Sequence, residues 1–184
     1  MGKIIKDALI LMAFSLVLGG VLGAVYQITK GPIAEAMLRK EMEAYKVVFE
    51  DADTFKPVEV DAAVADMEYD VINKAFEAVD AEGKGLGYVV QLTTKDGYSG
   101  GIVMVVGVQL DGTVNGFSVT AHTETSGLGT KAFEPAYADQ FKGIAAADVS
   151  GVAVITGATK TSDAVKNGIN AAVAYVNSLA GGAQ

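Results

Sequence analysis

Between Asp7 and Lys30 the chain runs 22 residues without a charge, ALILMAFSLVLGGVLGAVYQIT, Ala8 to Thr29. A helix of roughly 20 apolar residues crosses the hydrocarbon core of a bilayer, so this run is long enough to span one. A cleaved signal peptide is the rival reading. Leu22-Gly23-Ala24 is a mediocre cleavage site, because Leu is large for the −3 position, and a retained anchor is expected instead. Gly19 and Gly23 stand at GxxxG spacing. That spacing serves either close packing against a partner helix or the ordinary glycine tolerance of membrane segments. The span holds no ionisable side chain and offers no ion relay of its own. Lys3 and Lys6 precede it. Lys30, Arg39, Lys40 and Lys46 follow, interleaved with Glu35, Glu41 and Glu43, so counting cations does not fix the orientation.

About 155 residues remain beyond the span, enough for one domain with a real core. The expected organisation is an anchor over residues 1–30 and one globular domain over 31–184. A formal charge of −8 leaves nothing to neutralise a phosphate backbone, which argues against nucleic acid as a partner. The chain has no Cys and one His. Disulfides, Cys-ligated iron–sulfur clusters and thiolate chemistry are excluded, and a His-rich zinc or haem site is disfavoured. If such a chain moves electrons, it needs an organic cofactor.

Periodicity predicts an α+β domain. Pro32 sits near the start of a helical pattern running to about Phe49, with Ile33, Met37, Met42, Tyr45 and Val48-Phe49 as its apolar stripe. Asp51 to Pro57 reads as a loop, and Asp61 to Met67 as a short helix or irregular segment. Tyr88–Thr94, Gly101–Leu110 and Val114–Ala121 read as strands of an antiparallel meander; Ile72–Val79 fits either a helix or a strand, and the sheet that follows favours strand. Turns fall at Gly83-Lys84-Gly85 and at Asp111-Gly112, both of whose residues tolerate positive φ. Ala132–Phe141 reads as a helix with Pro135 in its first turn. Val152–Ile155 is expected to rejoin the sheet. Asp163–Leu179 is expected to be an amphipathic helix burying Val165, Ile169, Val173, Val176 and Leu179.

Thr156-Gly157-Ala158-Thr159-Lys160-Thr161-Ser162 packs hydroxyls and small residues into the turn before that last helix. Such a turn is suited to an anion, because free N–H groups and the helix dipole both favour negative charge. It is equally the composition of an ordinary N-cap, with Ser162 or Asp163 capping. A second segment agrees with the first reading: His122-Thr123-Glu124-Thr125-Ser126-Gly127-Leu128-Gly129.

Taken together, the two segments resemble the covalent-FMN domain of membrane redox complexes. Thr-Gly-Ala-Thr-Lys-Thr-Ser is similar to the flavinylation motif of that family, and His-x-Glu-Thr-x-Gly-Leu-Gly to its other hallmark loop. The resemblance runs from about Gly87 to Leu179. Its best match is the G-subunit family of the Rnf electron-transport complex. The C-subunit family of the sodium-translocating NADH:quinone reductase is similar but typically longer. Ser126 stands where the family usually has Pro, and Ala153 where Asp is common.

The resemblance implies FMN joined through a phosphoester to Thr159. A separate flavin transferase would attach it, because a threonine hydroxyl is a poor nucleophile unaided. Thr156, Gly157, Ala158, Lys160, Thr161 and Ser162 would surround the phosphate. Glu124 and Thr125 would form the facing wall, and Leu128, between Gly127 and Gly129, would pack on the flavin ring or only anchor the loop in the core. His122 would orient the loop, or be merely structural. The resemblance also implies a cell-membrane protein with its domain outside the cytoplasm, working with the other membrane and peripheral subunits of an ion-translocating ferredoxin:NAD+ oxidoreductase. A non-redox anchored assembly or binding module remains the competing expectation.

Overall fold

The computed structural model describes residues 2–61 and 70–181. The chain divides into two compact units, Met1–Lys40 and Glu41–Gln184. Helix α1 runs from Gly2 to Val48 with Pro32 inside it. The sequence had suggested that Pro32 opens a second helix. Instead the helix carries through, giving up the hydrogen bond that proline cannot donate. Gly2–Ile33 is long and apolar enough to cross a membrane. Its Leu, Ile, Val and Phe side chains are exposed along the whole length, a surface suited to lipid rather than water. The Ser and Thr hydroxyls within it are satisfied locally: Ser15 Oγ donates to Leu11 O at 3.0 Å and Thr29 Oγ1 to Val25 O at 2.8 Å.

The described strands of the second unit form one antiparallel sheet in sequence order. They are β1 (Thr54–Val58), β2 (Asp70–Val79), β3 (Gly85–Thr94), β4 (Ile102–Gln109) and β5 (Val114–Ala121). β1 replaces the loop expected over Asp51–Pro57. It pairs along β2 from Thr54↔Val79 to Val58↔Ala75, and its Pro57 is tolerated because the strand lies at the sheet edge. The Gly83 turn is as expected, with φ +83° and the Asp80 carboxylate accepting from the N–H groups of Glu82 and Lys84. At the β4–β5 connection only Gly112 takes positive φ, +84°. Gln109 accepts from Gly112 N and donates to Thr113 O, so the connection is longer than a two-residue turn. The segment expected between Asp61 and Met67 lies outside the described residues from 62 onward.

Alternation along the strands gives the sheet two apolar faces. One carries Ile72, Val90, Leu92, Met104, Val106 and Val108 against helix α3 (Thr159–Gly181), through Val165, Ile169, Ala172, Val173 and Val176. The expected stripe of that helix is therefore the buried one, with Leu179 partly buried. The opposite face carries Ala78, Val89 and Val105 against Ala44, Tyr45, Val48 and Phe49 from the end of α1. Of the stripe expected there, Ile33 and Met42 are exposed, and the Met37 side chain is outside what is described. Each helix meets its face at a glycine, Gly168 on α3 itself and Gly107 on β4. A Cβ on Gly168 would lie 2.7 Å from Met104 Sδ, and one on Gly107 would lie 3.0 Å from Val48 Cβ.

Two further expectations are corrected. Ala132–Phe141 is not one helix. It is a 3-10 turn (Gly129–Phe133), one α-helical turn α2 (Pro135–Ala138) and a second 3-10 turn (Asp139–Phe141). Glu134 is extended, at φ −70° and ψ 149°, as the residue before a proline prefers to be. Val152–Ile155 joins no strand. It follows a 3-10 turn (Ala146–Gly151), and Val154 faces solvent. Its apolar composition reflects a linker crossing the surface of the core, with Val152 and Ile155 packed against it.

Candidate functional site

The turn entering α3 is built by its own backbone. Ala158 N donates to Ile155 O at 2.9 Å, and Ser162 N makes the first i→i−4 bond of the helix, to Ala158 O at 2.9 Å. Gly157 bends the chain at φ +84°, a conformation that a Cβ would disfavour. The helix therefore begins at Thr159, earlier than the cap at Ser162 or Asp163 that the composition suggested. Ser162 works from inside the first turn. Its hydroxyl donates to Ala158 O at 2.9 Å and accepts from Ile155 N at 3.2 Å. Asp163 pairs with Lys166 at 3.0 Å. Beside Ser162, burial pushes the Tyr137 phenol up from its ordinary value, so it stays neutral.

The hydroxyls of the motif divide between two environments. Thr156 and Thr159 are exposed, as is Lys160, whereas Thr161 and Ser162 are buried. The N–H groups of Thr159, Lys160 and Thr161 precede the first helical bond and lie at the positive end of the helix dipole.

The loop after β5 comes to this turn through Glu124, which is 7% exposed. Its Oε2 accepts from Thr161 Oγ1 at 2.6 Å. Its Oε1 accepts from Ser99 N at 3.2 Å. Two glycines make room for that carboxylate. A Cβ on Gly129 would lie 2.6 Å from Glu124 Oε2, and one on Gly97 would lie 2.8 Å from Oε1. Gly127, at φ +74°, donates to Thr130 Oγ1 at 2.9 Å and turns the loop. Leu128 then reaches to within 3.4 Å of where a Cβ on Gly157 would be.

A cavity of about 210 Å3 lies between the three segments. Glu124, Thr125, Leu128 and Gly129 line it from one loop, and Gly157, Ala158, Lys160 and Thr161 from the other. Thr159 stands exposed between the lining residues Ala158 and Lys160. Thr156, Ser162 and Gly127 shape the surrounding turns without lining the cavity. His122 points elsewhere. Its ring packs on Phe133, centroids 5.0 Å apart, and lines a separate depression with Phe117 and Lys142.

The third segment, Lys95–Gly101 between β3 and β4, reads in the sequence only as a turn, over Lys95–Tyr98, with no site role. It brings Tyr98 to the cavity and Ser99 to Glu124. It is tied to the β5 loop a second time, by Thr123 Oγ1 donating to Ser99 O at 3.0 Å. Its glycines, Gly97, Gly100 and Gly101, were the available signal.

These parts suit a phosphorylated planar ligand: unbonded N–H groups at a helix start, side-chain hydroxyls, one lysine and an apolar rim at Leu128. Gly157 and Gly129 keep open the space that side chains would fill. Residues 97–174, which take in both motif loops and the third segment from Gly97 onward, match the FMN-binding domain family, and residues 1–48 match the RnfG N-terminal region. Over 173 residues the chain is 32% identical to the G subunit of the proton-translocating ferredoxin:NAD(+) oxidoreductase complex of Clostridium ljungdahlii, covering 89% of this chain and 86% of that one. The chain belongs to the RnfG family. Another relative, the G subunit of the ion-translocating oxidoreductase complex of Methanosarcina acetivorans, is 30% identical over 97% of both chains. The fold is also that of the Shewanella oneidensis NqrC crystal structure, with a TM-score of 0.51 at 21% identity, covering 72% of this chain and 73% of that one. As a member of the RnfG family, the chain has an FMN-binding domain behind an apolar N-terminal helix.

Proposed function

We propose that this RnfG protein holds FMN covalently on Thr159 and passes electrons within a membrane complex that couples ferredoxin and NAD+ to ion transport. The observation that carries the reading is the position of Thr159: exposed, in the first turn of α3, with small residues before it and the cavity beside it. The named activity comes from relatives, among them the G subunit of the Na(+)-translocating ferredoxin:NAD(+) oxidoreductase complex of Acetobacterium woodii. Because relatives differ in the ion they are named for, the reading does not extend to the ion.

Thr159 Oγ is the acceptor. Its O–P bond forms at the FMN phosphate as the pyrophosphate bond of FAD breaks, AMP leaves, and the hydroxyl proton passes to a base of the flavin transferase. Exposure of Thr159 gives that enzyme access. The first-turn N–H groups and Lys160 balance phosphate charge, as helix starts and lysines do elsewhere. Glu124 holds Thr161 inward, which keeps the first turn of α3 in register with the cavity. When bound, FMN supplies reversible electron exchange at its ring, leaving the protein to position and tune it. A tether through the phosphate leaves that ring free and prevents loss of the cofactor. The domain then lies on the extracytoplasmic side, with residues 1–30 as the single-pass anchor, residues 31–184 as the working domain and the rest of the Rnf complex as partners.

The test is Thr159→Ala in the assembled complex. The reading expects assembly to persist while ferredoxin-dependent NAD+ reduction by the membranes is lost. Electron flow at the wild-type rate would instead make the chain a non-redox assembly module.

A further inference from the structure

Tyr98 and Leu128 are both large, both exposed and both on the rim of the same cavity. Tyr98 is 71% exposed and Leu128 45%. Single exposed apolar side chains need no explanation, but two converging on one cavity do. Neither is held loosely. Tyr98 lies between Gly97 and Ser99. Gly97 is buried so tightly that a Cβ there would strike Gly100 O. Ser99 is fixed at its N–H by Glu124 and at its carbonyl by Thr123. The backbone carrying Tyr98 is thus fastened on both sides while its ring projects into solvent. Leu128 is fastened through its own backbone, its N–H donating to Thr125 O at 3.2 Å and its carbonyl accepting from Lys131 N at 3.3 Å.

The cavity is also small for the ligand. At about 210 Å3 it falls below the roughly 300–1,000 Å3 of sites that enclose a drug-sized molecule. A flavin mononucleotide tethered beside it would fill it with one end only and leave the planar ring system at the rim, where these two side chains stand. A tyrosine offers such a ring a broad face at little entropic cost, and aromatic pairs favour offset stacking.

We propose that Tyr98 is the aromatic wall of the flavin site, lying against the isoalloxazine face opposite Leu128; this rests on the reading that FMN is tethered at Thr159. The glycine-rich Lys95–Gly101 loop is then a binding element, and its bond to Glu124 links ring placement to the phosphate end. The phenol, in contact with the ring, quenches its emission.

The test uses the full-length protein in detergent, co-expressed with a flavin transferase, as wild type, Tyr98→Ala and Tyr98→Phe. Three quantities are read: flavin per chain by absorbance, emission yield, and quenching of that emission by iodide. The expected wild type is dim and shielded from iodide. Tyr98→Ala keeps its flavin, brightens several-fold and becomes open to iodide. Tyr98→Phe also brightens, having lost the phenol, but stays shielded. Loss of attachment in Tyr98→Ala with retention in Tyr98→Phe also supports the wall, since only the ring distinguishes them. Loss in both variants, or Tyr98→Ala matching wild type in yield and iodide access, overturns the proposal. A wild type without flavin tells against the tether at Thr159 itself, which separates that failure from this one.

Discussion

Each face of the sheet meets its helix at a glycine, and each has a glutamate at its margin, yet the two glutamates are held in opposite ways. Glu41, on the α1 side, pairs with Lys74 at 2.9 Å and accepts from Gln91 at 3.3 Å. The Lys74 side chain is 49% exposed and that of Glu41 25%. Glu124, on the α3 side, is buried, and its oxygens are met by a hydroxyl and an amide, neither of them charged. A half-exposed ion pair is a clamp of small worth, below about 1 kcal/mol. A buried carboxylate on neutral donors is a costlier arrangement. It joins three segments that otherwise belong to separate parts of the fold. The contrast separates a residue that steadies the sheet from one that assembles a site.

Paired glycine substitutions break the comparison most severely. Gly129→Val drives a side chain into Glu124 and Thr161, and Gly107→Val drives one into Val48 and Phe49. Overpacking of this kind costs about 1–3 kcal/mol in either place, read as a shift in the denaturation midpoint. Flavin attached per folded chain, measured on the same samples, is expected to fall with Gly129→Val and to hold with Gly107→Val. Equal losses would erase the distinction between the faces.

Thr161→Val sharpens the Glu124 side. It removes the 2.6 Å bond to a buried carboxylate, and hydrogen bonds to charged groups contribute about 1.5–3 kcal/mol. A midpoint unchanged from wild type in chemical denaturation would show that Glu124 does not depend on that hydroxyl.

The smallest effect belongs to Lys74→Met. Burial pushes the Glu41 carboxyl up, but hydrogen bonds from Lys74 and Gln91 and the Lys74 charge outweigh it and hold Glu41 below its ordinary 4.5. A carboxyl whose pKa is lowered on folding stabilises the fold above its unfolded value. That contribution fades as pH falls through the folded value. Wild type is therefore expected to lose a small increment below about pH 4.5 that Lys74→Met already lacks. Unfolding midpoints at pH 7 and pH 3.5 should differ less between the two proteins at the acid end. A gap that widens in acid would reverse the assignment.

Much of the meander was legible because short runs of β-branched and apolar residues are punctuated by glycine turns, the mark of strands buried on both faces, and β5 was bounded correctly from its sequence. β1 was missed because Lys56 and Pro57 interrupt a short strand that only an edge position permits. Val152–Ile155 misled for the opposite reason: an apolar run can be a linker lying over a core as well as a strand within it. In the candidate site, the two motif loops were visible as sequence and do lie together. Their connection was not, because the Thr161–Glu124 bond joins residues far apart in the chain. Tyr98 was hidden for a similar reason, since a Gly- and Ser-rich loop looks like any other turn until Glu124 is seen to fasten it.

The most direct measurement of the central claim is the mass of the full-length protein made alongside a flavin transferase, with peptide mapping across residues 154–166. The account predicts a gain of one FMN less one water, carried on Thr159 and absent from Thr159→Ala. An unmodified Thr159 in the presence of an active transferase, or the same mass gain on another residue, would contradict it.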